Sequence, residues 1–524
     1  MPPRTARAFH PISKLYQPAS ARYVRTSSSW QPVIGLEIHA QLLSPVKLFS
    51  KAPHRSSDEP NTNIELFDVA IPGTLPVLQA APVLLALRAA LALDCTINHI
   101  SRFDRKHYFY PDLPSGWQIT QKYQPLAHSG SIKLTPEQDE GVAVSRDVRI
   151  EQVQLEQDTA KTVHLPYSGL SQVDMSRAGS ALIEIISGPD MRTAEEAMAY
   201  VRRLRSLLQH VGACDGNMDQ GSLRIDANVS VRKAEPDASL GQRCEIKNLN
   251  SIRQLQQAIT YEVERQSKLL DDGQAVESET RGFDAQAGET YAMRSKAATP
   301  DYRYMPDPDL PPLVLSQSFV QEVRQAMPEL PLDAFARLIL QYGLRERDAR
   351  ILVAYGESRD KEESAAIAVR FFEDAAQGRD PQMVVNWLIN DLFAALADLE
   401  LPLGQCVITP ADLGTLVDAV QSGGLARAKA RELLNDALQT HSIPLHELVS
   451  KHVQQDDVNT TERLAALAQD IVIALPDEAD KVRRGNNKVM QRMIGEGMKR
   501  TAGRVDARKL TEALRQWLHA TGGT

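Results

Sequence analysis

The sequence is poor in cysteine and has no long hydrophobic run. Its four cysteines are spread over 524 residues, and no two of them form a Cys-x-x-Cys pair. We therefore expect reduced thiols rather than a disulfide framework or a structural zinc site. No run of about 18 apolar residues occurs, so the sequence predicts no transmembrane helix and no membrane insertion.

The common motifs of nucleotide-binding enzymes and hydrolases are also missing. The sequence contains no G-x-x-x-x-G-K-S/T loop, no G-x-G-x-x-G, no H-E-x-x-H and no nucleophile elbow. The net charge of −8 argues against a basic surface over the whole protein. It leaves room for a local basic surface that could contact a nucleic acid.

Acidic side chains are absent from the first 30 residues. This leader contains five arginines and lysines and a run of three serines, whereas the first acid in the chain is Glu37. An Arg- and Ser-rich leader without a hydrophobic segment is typical of a mitochondrial transit peptide. A disordered basic tail is the alternative interpretation.

Strand-like and helical patterns divide the rest of the chain. Short apolar runs are concentrated before residue 316, with amphipathic helices predicted at 194–211 and 252–270. After residue 316 the pattern is helical, interrupted by the proline-containing stretch Leu401–Pro410. We predict an α+β fold with a transit peptide (1–30), a strand-rich N-terminal domain (31–315), a helical domain (316–405) and an all-helical tail domain (406–524).

The stretch Val33–Leu42 predicts a buried strand that carries two polar side chains. Because side chains alternate between the faces of a strand, Glu37 and His39 lie on the same face. A carboxylate and an imidazole together can bind a divalent cation or transfer a proton. An edge strand with its polar face in water is the alternative.

Two further carboxylates lie in strand-like apolar segments. Glu184 is surrounded by apolar residues in the stretch 182–186, and Glu156 follows two short alternating runs between Val148 and Leu155. A carboxylate within an apolar strand is costly unless it is paired or bound to a metal. These residues therefore join Glu37 and His39 as candidate functional groups.

Aromatic and charged residues are mixed in the segment Phe103–Asp112. A nucleotide or an RNA end would need such a mixture, because cations contact phosphates and aromatic rings stack on bases. A hairpin whose aromatic residues belong to the core explains the same pattern equally well.

The segment Lys481–Lys509 has a net positive charge, although the protein as a whole is acidic. It contains ten arginines and lysines but only Glu496 and Asp506 as acids. Contact with a phosphate backbone is one interpretation, and a solvated helix face is the other. The residues alone thus predict candidate sites but do not name a reaction.

Six motifs follow one another between residue 33 and about residue 312. They are Val33–His39, Phe103–Asp112, Leu182–Ile186, Gly221–Asn228, Lys247–Ser251 and Asp301–Tyr304. Taken together and in this order, they resemble the family of glutamyl-tRNA(Gln) amidotransferase B subunits. The helical remainder resembles the linker and tail domains of that family more loosely.

The resemblance implies a two-step reaction on tRNA in the mitochondrial matrix. ATP would phosphorylate the side chain of glutamate mischarged on tRNA(Gln), and ammonia from the A-type amidase subunit would displace the phosphate. A small accessory subunit of the C or F type would complete the complex, with Mg²⁺ and ATP required. The strand-rich domain would be the catalytic cradle, and the tail domain would bind tRNA. A non-catalytic, tRNA-binding scaffold subunit is the alternative.

The resemblance also implies roles for ten residues. Four of them would bind Mg²⁺. Three basic residues would take part in catalysis, and three further basic residues would bind the cofactor. Some of the six basic residues would hold phosphates or the tRNA 3′ end. The three sets are Glu37, His39, Glu156 and Glu184; Lys106, Arg177 and Arg224; and Lys247, Arg294 and Arg303.

The chain departs from the family pattern near these residues. Where the family usually has His-x-Glu-Glu-Asp, this chain has Gln154 and Gln157 in place of the histidine and the second glutamate. Gln220 and Gly188 replace two further glutamates. Each change removes a charge or a metal-binding group near the residues that the resemblance implies as cation ligands.

Overall fold

The computed structural model describes residues 29–520 with short gaps and divides into two compact units, Met1–Pro328 and Glu329–Thr524. The residues outside the description are 1–28, 55–58, 137, 166, 236, 296–300, 356–364, 441–443, 456–460, 484–488, 502–504 and 521–524. The predicted transit peptide (1–30) lies almost entirely outside the described residues and stays a prediction.

The first unit is rich in strands. Its strands are β1 (Trp30–Gln41), β2 (Thr96–Ile97), β3 (Ile100–Ser101), β4 (Asp104–His107), β5 (Trp117–Thr120), β6 (Ala127–Leu134), β7 (Arg146–Gln157), β8 (Lys161–Leu165), β9 (Leu170–Asp174), β10 (Ala181–Ser187), β11 (Leu223–Lys233), β12 (Cys244–Leu249), β13 (Glu279–Asp284), β14 (Glu289–Ser295), β15 (Met305–Pro306) and β16 (Leu313–Val314). Its helices are α1 (Ala80–Ala92), α2 (Ala194–His210), α3 (Ile252–Asp271) and α4 (Gln317–Gln325).

The main sheet of this unit has β1 at its centre. Within the described residues it has nine strands in the order β14-β13-β12-β11-β1-β10-β7-β6-β2. β1 pairs antiparallel with β10 on one side and with β11 on the other. A small sheet in the order β15-β4-β5 contacts the main sheet where β5 meets β7.

The two faces of the main sheet have different surroundings. Ile34, Leu36 and Ile38 of β1 are at most 1% exposed, and α1, α2 and α3 contact β7, β6 and β11. Side chains alternate along a strand, so the polar residues of β1 lie on the opposite face. Gln118 of β5 contacts Glu156 of β7 on that polar face, and the candidate site lies in the cleft where the small sheet meets the main sheet.

The second unit is helical. Its helices are α5 (Pro331–Tyr342), α6 (Glu346–Val353), α7 (Ala365–Ala376), α8 (Pro381–Trp387), α9 (Phe393–Asp398), α10 (Pro410–Gln421), α11 (Arg427–Thr440), α12 (Leu445–Gln455), α13 (Thr461–Ala474), α14 (Pro476–Arg483), α15 (Met490–Arg500) and α16 (Ala507–Ala520). A π-helical turn, Leu388–Leu392, joins α8 to α9, and a short 3₁₀ turn covers Leu403–Gln405. The predicted α+β fold, with strands first and helices after them, is confirmed.

Two hydrophobic clusters stabilise the helical unit. One joins buried residues from Leu338 to Val449, and the other joins residues from Leu464 to Leu518. The first cluster includes residues on both sides of position 405, where the sequence suggests a domain boundary. The predicted boundaries at 315/316 and 405/406 stay predictions. Among the described residues, no helix is both long and apolar enough to cross a membrane.

Candidate active site

Three side chains from three neighbouring strands meet on the polar face of the main sheet. His39 of β1 lies opposite Glu184 of β10, and Glu156 comes from the next strand, β7. The His39 Nε2 atom is 3.5 Å from Glu156 Oε1 and 3.9 Å from Glu184 Oε2. One ligand atom from each residue lies within 4.8 Å of the other two. The strand register therefore builds a site with one nitrogen and two carboxylate ligands.

The chemistry of these three residues fits a divalent cation. Glu156 Oε2 is buried and has no hydrogen-bond partner among the described residues. A buried, unpaired carboxylate oxygen is costly unless an ion or a water molecule contacts it. His39, Glu156 and Glu184 could hold such a cation.

Amide side chains position the two carboxylates. Gln118 Nε2 donates a 2.7 Å hydrogen bond to Glu156 Oε1. Gln154 Nε2 donates hydrogen bonds to Glu184 Oε2 and, at 3.0 Å, to Thr120 Oγ1. Because such contacts fix the direction of the carboxylates they bind, Gln118 and Gln154 act as positioning residues for Glu156 and Glu184.

Burial and neighbouring charges move the pKa values of the three groups apart. Burial favours the neutral form of Glu156, but the charge of Lys106 and the contact with His39 outweigh it and hold the pKa below its usual range. Burial and the nearby charge of Glu156 raise the pKa of Glu184. Burial opposes protonation of His39, yet its two carboxylate neighbours outweigh burial and raise its pKa. A bound cation would relieve the repulsion between the two carboxylates.

Lys106 adds a positive charge beside the carboxylates. It belongs to β4 of the small sheet, and its Nζ atom lies 5.2 Å from the ring centre of Tyr302. Burial would lower the pKa of this lysine, but the charges of Glu156 and Glu184 outweigh burial and raise it. The ammonium group therefore stays charged within the cleft.

Arg177 and Arg224 are held by one aspartate that the sequence analysis did not single out. Arg224 Nη2 is 3.0 Å from Asp158 Oδ1, and Arg177 Nε is 3.5 Å from Asp158 Oδ2. Arg177 also donates to the carbonyl oxygens of Thr159 and Ala160. Arg224 lies opposite His39 in the strand register. The only sequence signal for Asp158 was its place at the end of the motif that contains Glu156.

The other predicted residues have different surroundings. Glu37 Oε1 accepts a 2.9 Å hydrogen bond from Asn228 Nδ2, and its carboxylate is not one of the three grouped ligands. Lys247 Nζ lies 3.0 Å from Asp226 Oδ2 and 2.7 Å from Glu245 Oε1. The cation- and cofactor-binding roles of Glu37 and Lys247 stay predictions.

The last two predicted cofactor-binding residues are Arg303 and Arg294. Arg303 is exposed and its Nε is 3.6 Å from Asp301 Oδ2. Arg294 lies in β14 at the edge of the main sheet, and its side chain is outside the described part of the structure. Their roles also stay predictions.

Comparisons with known proteins find similarity over most of the chain. The family model described as "GatB/GatE catalytic domain" matches residues 32–321, and the model described as "GatB domain" matches residues 370–518. The chain is 41% identical to the mitochondrial glutamyl-tRNA(Gln) amidotransferase B subunit of Mycosarcoma maydis, over 96% of this chain and 88% of that protein. It is also 41% identical to the aspartyl/glutamyl-tRNA(Asn/Gln) amidotransferase B subunit of Mesorhizobium japonicum, over 93% of this chain and 95% of the relative.

Proposed function

The chain belongs to the family of glutamyl-tRNA(Gln) amidotransferase B subunits, and we propose that its candidate active site activates glutamate carried on tRNA(Gln) by ATP-dependent phosphorylation. The family consists of glutamine-hydrolysing ligases that amidate an amino acid while it is attached to tRNA. The proposal concerns the finer steps: the use of ATP and Mg²⁺, the source of ammonia and the residues that act.

The need for ATP follows from the chemistry of a carboxylate. Direct attack by ammonia would have to expel oxide, which is a very poor leaving group. Transfer of the terminal phosphoryl group of ATP to the side-chain carboxylate gives an acyl phosphate and ADP. Ammonia then attacks the acyl carbon, inorganic phosphate leaves, and the nitrogen loses a proton to give glutamine on the tRNA.

The observation that carries this proposal is the convergence of His39, Glu156 and Glu184 on one face of the sheet. These residues would hold Mg²⁺, which prefers oxygen ligands and accepts an imidazole less often. When bound, Mg²⁺ would neutralise charge on the phosphates of ATP. The unpaired oxygen of Glu156 supports the presence of an ion at this position.

The basic residues of the cleft would act on the same phosphates. Phosphoryl transfer depends mainly on positioning and on neutralising charge. Lys106 is half-buried and its pKa is raised by the charges of Glu156 and Glu184, so it would stabilise negative charge that develops on the transferred group. Asp158 fixes Arg177 and Arg224 from one side, which would leave their other N–H groups to contact the nucleotide or the acyl phosphate.

The proposal also includes partner subunits and a location in the cell. B subunits function in a multi-subunit complex, and one of the similar proteins is mitochondrial. We propose that an A-type amidase subunit supplies ammonia from glutamine, that a small accessory subunit completes the complex, and that the reaction takes place in the mitochondrial matrix. The acid-free leader supports the mitochondrial location.

The proposal is tested by substituting one carboxylate of the cleft. The variant Glu184→Gln should lower ATP-dependent amidation of glutamyl-tRNA(Gln) by about 100-fold or more, because it removes a charged ligand of the cation. The subunits are co-expressed, and ATP, glutamine and the charged tRNA are omitted in turn. Glu151→Gln is the matched control, because it makes the same change at an exposed position of β7.

Two outcomes would contradict the proposal. Wild-type activity in Glu184→Gln would show that the cleft takes no part in the reaction. If the wild-type complex consumes no ATP in the presence of the charged tRNA, the chain is a tRNA-binding scaffold instead. The departures from the family pattern at Gln154, Gln157 and Gln220 motivate that second hypothesis.

A further inference from the structure

Five tyrosines form a continuous row along the small sheet. Neighbouring ring centres are 5.8 to 6.2 Å apart, and each pair meets edge to face at 63 to 75°. Aromatic pairs favour this geometry because the positive ring edge contacts the negative ring face. In order, the tyrosine row consists of Tyr110, Tyr108, Tyr302, Tyr304 and Tyr123.

Segments distant in the sequence come together to build the tyrosine row. Tyr108 and Tyr110 follow β4, whereas Tyr302 and Tyr304 precede β15, which pairs with β4. His107 N donates a 2.8 Å hydrogen bond to the carbonyl of Tyr302. Arg303, between the two tyrosines, has a φ of +43°, a region that non-glycine residues rarely adopt. Strained backbone of this kind is concentrated at functional sites.

The tyrosine row is open to solvent, particularly at its ends. Tyr110 is 60% exposed and Tyr123 is 65% exposed, and the three rings between them are half-buried. A single exposed aromatic side chain needs no explanation, but a linked series of them indicates a binding surface. Its ligand should have flat aromatic groups that stack on tyrosine rings.

Positive charges accompany the tyrosine row. Lys106 Nζ lies 5.2 Å from the ring centre of Tyr302, and Lys122 Nζ lies 5.9 Å from that of Tyr304. Among the described residues, the Arg303 side chain has one ion pair, with exposed Asp301 at 3.6 Å, a contact that contributes little to stability and that a phosphate could replace. Alternating rings and cations match a ligand with alternating bases and phosphates.

We propose that the tyrosine row binds the unpaired 3′ end of the aminoacylated tRNA by stacking its bases. This inference rests on the proposed function, which makes charged tRNA the substrate. Proteins that bind single-stranded nucleic acid use several aromatic rings in succession together with a basic path for the backbone. A row of five rings exceeds what one adenine covers, which favours an RNA strand over the base of ATP.

The tyrosine row leads directly to the candidate active site. The Tyr108 hydroxyl donates a 3.0 Å hydrogen bond to Gln118 Oε1, and Gln118 Nε2 donates a 2.7 Å bond to Glu156. Lys106 contacts the Tyr302 ring, and the charges of Glu156 and Glu184 act on its ammonium group. A strand stacked on the row would therefore bring the amino acid on its terminal ribose to the cleft.

The inference is tested with a fluorescent base in the tRNA. The probe is uncharged tRNA(Gln) with 2-aminopurine in place of the terminal adenine, added to the co-expressed complex without ATP or glutamine. Stacking on a tyrosine should quench its fluorescence. The variants Tyr302→Leu and Tyr304→Leu should each weaken binding by roughly tenfold and reduce the quenching. Tyr302→Phe keeps the ring and should keep the quenching.

Steady-state kinetics give a second measurement. In both leucine variants, the KM for glutamyl-tRNA(Gln) should rise by roughly tenfold, while the KM for ATP should not rise. Tyr167→Leu is the matched control, because Tyr167 is an exposed tyrosine in the turn of the β8–β9 hairpin. Thermal unfolding of each variant shows whether the protein is folded.

Three results would overturn the inference. If the folded leucine variants quench the fluorescence as strongly as the wild type, the tyrosine row does not bind the tRNA 3′ end. A rise in the KM for ATP alone would assign the row to the adenine of ATP. Loss of quenching in Tyr302→Phe would assign the effect to the hydroxyl group rather than to stacking. Because the probe is bound without ATP, failure of the proposed phosphorylation would not alter the quenching and would be recognised separately.

Discussion

Asp158 connects two arginines at one end of the candidate active site. Its side chain is 6% exposed, whereas those of Arg177 and Arg224 are each 38% exposed. Ion pairs at this exposure contribute little to stability, because water screens the charges and the long side chains lose freedom. The value of the arrangement therefore lies in fixing the direction of both guanidinium groups.

The variant Asp158→Asn should impair catalysis more than stability. We expect kcat/KM for ATP to fall by about 10- to 100-fold, because both arginines lose the charge that orients them. Steady-state kinetics at varied ATP concentration measure the effect. Asp190→Asn is the matched control, since Asp190 pairs with Arg149 at 2.9 Å in an exposed contact. Equal kinetics in the two variants would show that Asp158 does not position catalytic groups.

Sequence patterns predicted the grouped carboxylates but not their surroundings. Glu156, Glu184 and His39 were predicted because each interrupts an apolar strand, and polar groups inside such strands need partners. Glu37 fulfils the same criterion, yet Asn228 of the neighbouring strand satisfies its carboxylate. The criterion cannot distinguish a partner on the next strand from a cation, because the pairing of strands is set by the whole sheet.

At the scale of secondary structure, the sequence predicted helices correctly where a capping residue precedes a periodic apolar pattern. The helices predicted at 194–211 and 252–270 correspond to α2 and α3, and Thr193 and Ser251 cap their first turns. The two alternating runs between Val148 and Leu155 form one strand, β7. The break in alternation between them lies where the register of β7 with β10 shifts, opposite Ile186 and Ser187. A bulge changes which face a side chain occupies, and no local pattern reveals it.

The segment Phe103–Asp112 combines both interpretations that the sequence left open. Part of it forms β4, which pairs with β5, while Tyr108 and Tyr110 belong to the tyrosine row. The remaining rings of the row come from residues 123, 302 and 304. A row assembled across such distances depends on the pairing of β15 with β4, so short-range patterns could not predict it.

Helix α3 is attached to the edge of the main sheet by a buried ionic network. Glu262 is fully buried and accepts hydrogen bonds from Arg265 at 2.7 Å and from Thr290 at 2.9 Å. Arg281 of β13 lies 3.3 Å from the same carboxylate and is also buried. Burial raises the pKa of Glu262, but the bonds from Arg265 and Gln266 outweigh burial and the pKa is lowered.

Glu262→Gln should destabilise the strand-rich unit by about 3 kcal/mol at neutral pH, because the charges of Arg265 and Arg281 lose the fully buried carboxylate and then share Glu279. The lowered pKa of Glu262 means that its ionised form stabilises the fold above the unfolded-state pKa of about 4.3. That contribution is lost as the pH falls through the lower, folded-state pKa. The stability difference between wild type and variant should therefore narrow below about pH 4.

Urea unfolding at several pH values measures this difference. Glu264→Gln is the matched control, because Glu264 lies on the same helix and is exposed. A difference that is independent of pH would show that packing, rather than the charge of Glu262, stabilises this contact.

At the scale of the whole molecule, the two clusters of the helical unit decide where the tail can be removed. The first cluster includes Leu413, Leu416 and Leu433, so deletion from residue 411 onward would remove part of a shared core. The second cluster begins at Leu464 and is formed by α13 to α16. Deletion of residues 461–524 would remove that second cluster as a unit.

The basic segment Lys481–Lys509 is only partly described by the structure. Arg484, Lys488 and Arg504 lie outside the described residues, as does the side chain of Arg483. Among the others, Arg492 and Arg500 pair with Glu478 and Glu496 at 3.1 and 2.9 Å. Lys499, Arg508 and Lys509 are exposed. The exposed residues are the better candidates for contact with tRNA phosphates.

Deletion of residues 461–524 should raise the KM for glutamyl-tRNA(Gln) and leave glutamine hydrolysis largely unchanged. Each lost phosphate contact should also reduce the slope of log affinity against log salt concentration by about 1. The triple variant Lys499→Ser, Arg508→Ser and Lys509→Ser keeps the buried cluster and should reproduce the change in slope. Titration of tRNA binding at several salt concentrations measures it. An unchanged slope in both proteins would show that the segment is a solvated helix face, because a true phosphate contact must release counterions when it forms.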